Sequence, residues 1–201
     1  MRGVAWSHQR RVKEYIERTG RLPSPQQFYN MIEKNCRTNK YKALFSLMYL
    51  TAGRKSEILA IKRENIEIGI KKDRKCFIVR MPNRKHKKRK YKEIVIPMDN
   101  NIERSYIMNV INYADHFYEE ESLFELTGPP VNKMCLKCFK FNPHLIRAIR
   151  LTHLVTAYGF NEQMLVQFAG WTDSRPAKEY MMLKGEDFLN YIRSDDDMED
   201  L

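Results

Sequence analysis

Residues 41–68 read YKALFSLMYLTAGRKSEILAIKRENIEI. From 41 to 50 the run is rich in Ala, Leu, Phe and Met and almost wholly apolar, the pattern of a helix buried on all sides. Thr51-Ala52-Gly53 breaks that helix, and Arg54 sits just after the break. Ser56 is placed to cap a new helix running to about Lys62, with Ile58, Leu59 and Ile61 turned inward. At Ile66 the apolar spacing changes to two, as Ile66-x-Ile68, which is the period of a strand.

The same signals extend outward in both directions. Residues 1–20 form one helix, with Trp6, Val12, Tyr15 and Ile16 as apolar positions and Gly20 as its end. Leu22-Pro23-Ser24-Pro25 stops the chain and restarts it, with Ser24 as N-cap and Pro25 in the first helical position. Phe28, Met31 and Ile32 then share a helical face. Downstream, 76–79 and 94–96 are strands, the second ending at Pro97. Between them lies a hairpin in which seven of the nine residues from Arg84 to Lys92 are Lys or Arg. Residues 102–117 read as helix, and 119–141 as irregular, with Thr127-Gly128-Pro129-Pro130 as a turn. Asn142-Pro143 opens a helix that stops at Gly159, and Asn161 opens another that ends at Gly170. A loop over 172–175 leads to a short helix opened by Pro176 and carrying Tyr180. A last amphipathic helix covers 187–192. Five of the six residues from Asp195 to Asp200 are acidic, as in a solvated, disordered tail.

The class expected from this order is α+β, mainly α, with a small three-stranded antiparallel sheet. The division expected is a short N-terminal helix or linker over 1–21, a main domain over 22–193 and the acidic tail over 194–201.

Lys and Arg number 36 against 25 Asp and Glu, a net charge of +11 in 201 residues. That surplus points to a polyanion, above all nucleic acid. No apolar run approaches the ~18 residues of a membrane span, and the first residues lack the apolar core of a signal peptide, so an intracellular protein without a membrane partner is expected. Cys36, Cys76, Cys135 and Cys138 are too few for a disulfide scaffold. Cys135-x-x-Cys138 has no second pair to complete four zinc ligands, so no metal is expected. A Gly-rich phosphate loop is also missing, and no cofactor is expected.

Several polar residues stand where a core has no use for them. Arg54 follows a buried helix at a glycine turn. His144 and Arg147 are three apart on one helix, so their side chains project together, and Arg150 continues near that stripe. Leu145, Ile149 and Val155 remain for the core. Trp171 follows a glycine at a helix end, with Tyr180 nine residues beyond it. Taken singly, each is an ordinary surface or core-edge residue.

Taken jointly, these stretches resemble the catalytic domain of the tyrosine recombinases, the phage-type integrase family. YLTAGRKSEILAIKRENIEI is similar to the family's first box, where a threonine–glycine turn delivers an arginine followed by Ser-Glu. HLIRAIRLTHLVTAYG is similar to the second, a His-x-x-Arg followed by Thr-His-Leu and a glycine. LVQFAGWTDSRPAKEYMML is similar to the third, a Gly-His or Gly-Trp pair followed at fixed spacing by a tyrosine. The similarity covers roughly residues 22 to 193, in family order. It implies catalytic arginines at Arg54 and Arg147, the box-two histidine at His144, Trp171 in a position that is His in most members, Glu57 as a supporting acid and Tyr180 as nucleophile. The family's catalytic lysine falls in the basic hairpin. Lys85 is the first choice, with Lys87, Lys88 and Lys90 as alternatives. Arg84, Lys87, Lys88, Arg89, Lys90, Lys92 and Arg150 are expected at the DNA backbone. Ala148 stands where a histidine is common, and only some 20 residues precede the matched region, where the family carries a DNA-clamping domain.

Attack on a phosphodiester builds negative charge on the non-bridging oxygens, and two guanidiniums stabilise it with paired hydrogen bonds that never deprotonate. The resemblance therefore implies metal-free, ATP-free cleavage through a 3′-phosphotyrosyl intermediate. Double-stranded DNA is the expected partner and a homo-tetramer on DNA the expected assembly, with a monomer when free. The rival readings are a type IB topoisomerase, which shares this chemistry, and a DNA-binding regulator that keeps the fold without cleavage.

Overall fold

The computed structural model describes residues 6–82 and 91–181, less the side chains of 6–11 and 13. The chain divides into two compact units, one made of 1–24 with 148–201 and the other of 25–147. The division falls inside a single helix, after Arg147. The class is α+β, mainly α, with one three-stranded antiparallel sheet.

The 25–147 unit is built around α3 (Asn39–Thr51), which is buried at every position from 43 to 51. No polar face is needed because neighbours cover it all round. Helix α2 (Pro25–Asn35) meets it through Phe28 and Tyr49, whose ring centroids are 5.3 Å apart. Helix α5 (Asn101–Ala114) stacks Tyr106 on Tyr49 at 4.4 Å, and the Tyr106 hydroxyl donates to the Pro25 carbonyl at 2.7 Å. Such offset aromatic pairs add directional preference to ordinary burial.

Helix α6 (Gly128–Phe139) occupies part of the segment expected to be irregular. Thr127 takes the extended N-cap conformation, and Pro129 and Pro130 fall in the first turn, where backbone N–H groups have no helical acceptor. The Gly-Pro-Pro sequence that marks a turn thus starts a helix here. Val131, Cys135, Cys138 and Phe139 then form its buried stripe, and Phe139 packs edge-on against Phe45 at 5.0 Å.

The sheet runs β1 (Ile66–Lys71), β2 (Arg74–Pro82), β3 (Tyr91–Pro97), with β2 central. Val79 pairs with Ile66 on one side and Ile94 on the other, and Met81 pairs with Lys92. The outward face is ionic: Arg80 donates to Glu67 at 2.6 Å. Residues 83–90 lie outside the described residues.

In the other unit, α1 (Trp6–Thr19) ends at Gly20, whose φ of +82° is a glycine conformation. The remainder of α7 (Pro143–Thr156) buries Ile149, Leu151 and Leu154, whereas Val155, expected in the core, is half-buried. His153 is 1% exposed and its Nε2 lies 2.8 Å from the Pro23 carbonyl. Helix α8 (Glu162–Ala169) is capped by Asn161, whose side chain accepts from the Met164 N–H, and ends at Gly170. Helix α9 (Arg175–Met181) follows the loop. The helix expected over 187–192 and the acidic tail lie outside the described residues.

All four cysteines are buried free thiols. Among the described residues no helix is long and apolar enough to cross a membrane, and no group of three or more His, Cys, Asp or Glu is placed to hold a metal ion.

Candidate active site

The end of α3 is shaped by its own last residues. The Thr51 hydroxyl donates to the Leu47 carbonyl at 2.7 Å and accepts from the Gly53 N–H at 3.1 Å. Ala52 closes the helix in the left-handed conformation, φ 47°. Gly53 is required by contact rather than by φ. A Cβ there would lie 2.5 Å from Ile58 Cδ1 and 2.7 Å from Met81 Cε.

This turn makes Arg54 the N-cap of α4 (Lys55–Ile58), where Ser56 was expected as cap and Lys62 as the approximate end. Glu57 decides the start. Its Oε2 accepts from the Arg54 backbone N–H at 2.8 Å and its Oε1 from Arg54 Nη1 at 2.8 Å. One carboxylate thus fixes both the backbone and the guanidinium of Arg54. The helix stops after one turn because the following backbone pairs elsewhere: Leu123 N–H donates to the Ile61 carbonyl at 3.1 Å, and Lys62 bridges Ser122.

Arg147, in the first turns of α7, is 4% exposed, and its Nη1 donates to the Ala52 carbonyl. A buried guanidinium is tolerated only when its donors are engaged. Here the left-handed turn supplies a carbonyl that a continuing helix would have consumed.

Lys92 shares the strand face of Ile94 and Ile96, while Tyr91, Glu93 and Val95 point the other way. It is paired with Met81, the residue whose methyl crowds Gly53. Its pKa falls from the ordinary 10.5 to about 7, first because burial disfavours the ammonium and next because Arg147 repels it. Glu57 opposes the shift and Arg54 adds to it. Arg54, Glu57, Lys92 and Arg147 therefore form one electrostatic cluster in this unit. Lys55 turns away from it, donating to Asn132 Oδ1 at 2.8 Å and to the Gly128 carbonyl at 3.3 Å. Planar donors beside an ammonium near neutrality suit an anion that gains charge and needs a proton.

The other unit holds the tyrosine. Trp171 and Tyr180 are stacked, with centroids 6.1 Å apart and planes 19° from parallel, and Tyr180 is 6% exposed. The loop between them closes on itself. Asp173 accepts from the Arg175 N–H at 3.0 Å and pairs with its guanidinium at 3.1 Å, which fixes the start of α9, the helix that carries Tyr180.

The residues expected from sequence thus fall in different settings. Arg54, Glu57 and Arg147 are gathered at the α3 turn. His144 is exposed, with its N–H donating to Asn142 Oδ1 at 3.0 Å, although it lies three residues from buried Arg147. Arg150 is 3% exposed, with its guanidinium 5.1 Å above the Tyr158 ring. Arg84, Lys85, Lys87, Lys88, Arg89 and Lys90 lie outside the described residues. The unanticipated member of the cluster is Lys92, grouped by sequence with the backbone-binding lysines. Its alternation with Ile94 and Ile96 was the available signal, hidden by the basic run that ends on it.

No protein-family model matches the chain, and no curated protein does. Among solved structures it is similar to the XerH site-specific recombinase bound to difH substrate in a pre-cleavage complex, with TM-score 0.61 and 14% identity over 83% of this chain and 51% of that one. It is similar also to XerH bound to palindromic difH substrate in a post-cleavage complex, with TM-score 0.61 and 15% identity over 83% of this chain and 52% of that one. The chain spans about half the length of these structures. At that identity the likeness is one of fold, and the fold of this chain is that of the XerH recombinase structures over the matched region.

Proposed function

We propose that residues 22–193 form the catalytic domain of a site-specific DNA recombinase that cleaves and rejoins strands through a 3′-phosphotyrosyl intermediate. The observation that carries this reading is the half-buried Arg54–Glu57 pair beside the buried Arg147, built into a fold shared with a DNA-bound recombinase. Arg54 and Arg147 hold the scissile phosphate and stabilise its developing charge, the work a metal does in other nucleases. Glu57 positions Arg54. Tyr180 attacks phosphorus, and its phenol proton passes to His144. Trp171 buttresses the tyrosine by stacking and offers its indole N–H to the phosphate. The energy of the broken bond is retained in the phosphotyrosine, so a 5′-hydroxyl from a second duplex rejoins the strand without ATP.

The basic run at 84–92 and the net charge of +11 favour a nucleic-acid backbone as partner. The protein acts where its DNA resides, inside the cell, as a tetramer on paired sites. The test is a nicked suicide duplex taken from DNA flanking the gene. The wild type forms a covalent protein–DNA adduct, and Tyr180→Phe forms none. An adduct that persists in Tyr180→Phe removes the nucleophile assignment. Supercoil relaxation by monomers without recombinant products would replace the recombinase reading with a topoisomerase one.

A further inference from the structure

We propose that two copies of this chain pair through the outer edge of β1, strand against strand about a two-fold axis, in an association that needs no DNA. It does not rest on the cleavage reading, and either can fail without the other.

The sheet ends on β1, and among the described residues no strand lies against its outer edge. Alternate residues of an edge strand aim their N–H and C=O groups outward, a template that proteins blunt with proline, a bulge or an inward-pointing charge. β1 has none of these, and its pairing to β2 is regular from Ile66 to Lys71. Its inner-face row opens to solvent instead: Ile66 is 2% exposed, Ile68 43% and Ile70 76%. Tyr118, 84% exposed, stands with Phe117 beside the start of the strand, in a groove that Ile66 and Ile68 also line.

Charge and register identify the occupant. Across the outer face Glu93, Arg80 and Glu67 alternate in sign from β3 to β1, with Arg80 reaching Glu67 at 2.6 Å and Glu93 at 3.8 Å. A strand added beside β1 continues that row with a cation opposite Glu67. A second β1, antiparallel and centred on Gly69, supplies it. Glu67 then meets the partner's Lys71, a pair repeated by symmetry, and Ile68 meets the partner's Ile70. Moving the axis destroys the match. Centred on Ile68, Glu67 faces Gly69; centred on Ile70, it faces Asp73.

The strand ends match as well. The β1–β2 turn, Lys72-Asp73, is flanked by Lys71 and Arg74 and followed by Lys75, whereas Glu64 and Glu119 wall the groove at the start of β1. The antiparallel arrangement brings each basic tip to the other copy's acidic groove. This complementarity favours a second copy over a neutral or acidic peptide. The contact is small, because β1 has six residues against roughly 20–30 residues a side in a stable interface. The association is therefore reversible and concentration-dependent.

Sedimentation equilibrium of the full chain without DNA, over a range of concentrations at low salt, tests this. The wild type should show a monomer–dimer equilibrium. Ile70→Lys, at an exposed position, should weaken it by about tenfold or more and leave the circular dichroism unchanged. Glu67→Lys and Lys71→Glu should each weaken it alone, because each homodimer then sets like charges opposite one another. An equimolar mixture of those two chains should recover it, since the mixed pair has a lysine opposite a glutamate at both sites. Damage confined to the Arg80 or Glu93 contacts within a chain is not repaired by mixing. The proposal is overturned if the wild type stays monomeric at every concentration, if the dimer survives Ile70→Lys undiminished, or if the mixture associates no better than its components.

Discussion

The guanidinium of Arg147 donates to the carbonyl of Ala52, the left-handed residue that ends α3. A buried cation and a backbone carbonyl freed by a helix end thus satisfy each other. Arg147→Lys should fail to replace it, because an ammonium lacks the planar fork. Adduct formation should drop by about 10²–10³-fold, as on loss of one preorganised donor. Stability should fall by about 2 kcal/mol, as expected for a charge-assisted bond whose partner stays buried. Denaturant unfolding and single-turnover cleavage check the two parts separately.

Gly53 is predicted to be intolerant for a steric reason. Gly53→Ala would press Ile58, Met81 and Thr51 apart and should cost about 1–3 kcal/mol, the range for overpacking. The chief obstacle besides Ile58 is the Met81 methyl, so the same substitution in a Met81→Ala background should cost measurably less. A double-mutant cycle by chemical denaturation reads that coupling.

Glu57 holds Arg54 and raises the proton affinity of Lys92, against the lowering effects of burial, Arg147 and Arg54. Glu57→Gln preserves the side-chain shape and removes the charge. The sign follows: with its one anion gone, Lys92 loses its proton at a lower pH. The Lys92 amine should titrate near 7 in the wild type and at a lower pH in Glu57→Gln. Side-chain NMR titration of Lys92 between pH 5.5 and 9, about 7 as its centre, measures the displacement.

His153 is held neutral by burial, with the charge of Arg150 adding to the effect, and its pKa drops from 6.5 to about 3. The unfolded chain binds the proton first. Stability is therefore lost as pH falls through 6.5, at a slope approaching ~1.4 kcal/mol per pH unit for one proton. His153→Gln keeps a donor for the Pro23 carbonyl and should flatten that slope between pH 6.5 and 5 (about the range before carboxylates titrate). Unfolding curves at stepped pH distinguish the two chains.

Much of this was legible in the sequence because it rests on local physics. The apolar run of α3, the Asn-Pro start of α7 and the change to period two at Ile66 each declare their structure in a few residues. Helix α6 was not legible, since Gly-Pro-Pro satisfies the rules for a turn and for a first helical turn alike, and only the stripe through Val131, Cys135 and Phe139 separates them. The one-turn length of α4 was hidden for another reason. It depends on Leu123 claiming the Ile61 carbonyl, a partner sixty-two positions away. Arg54, Arg147, Trp171 and Tyr180 stood out by their positions in the sequence, Glu57 only through the family resemblance, and Lys92 was masked by the charge run it terminates.

The most direct measurement is the chemical identity of the covalent link. Wild-type protein should be trapped on a nicked suicide duplex, digested with trypsin, and the nucleotide-bearing peptide sequenced by mass spectrometry. The predicted result is a 3′-phosphodiester to Tyr180, absent in Tyr180→Phe and strongly reduced in Arg54→Ala and Arg147→Ala. A phosphotyrosine on another residue, or efficient DNA cleavage with no protein-linked nucleotide, would contradict it.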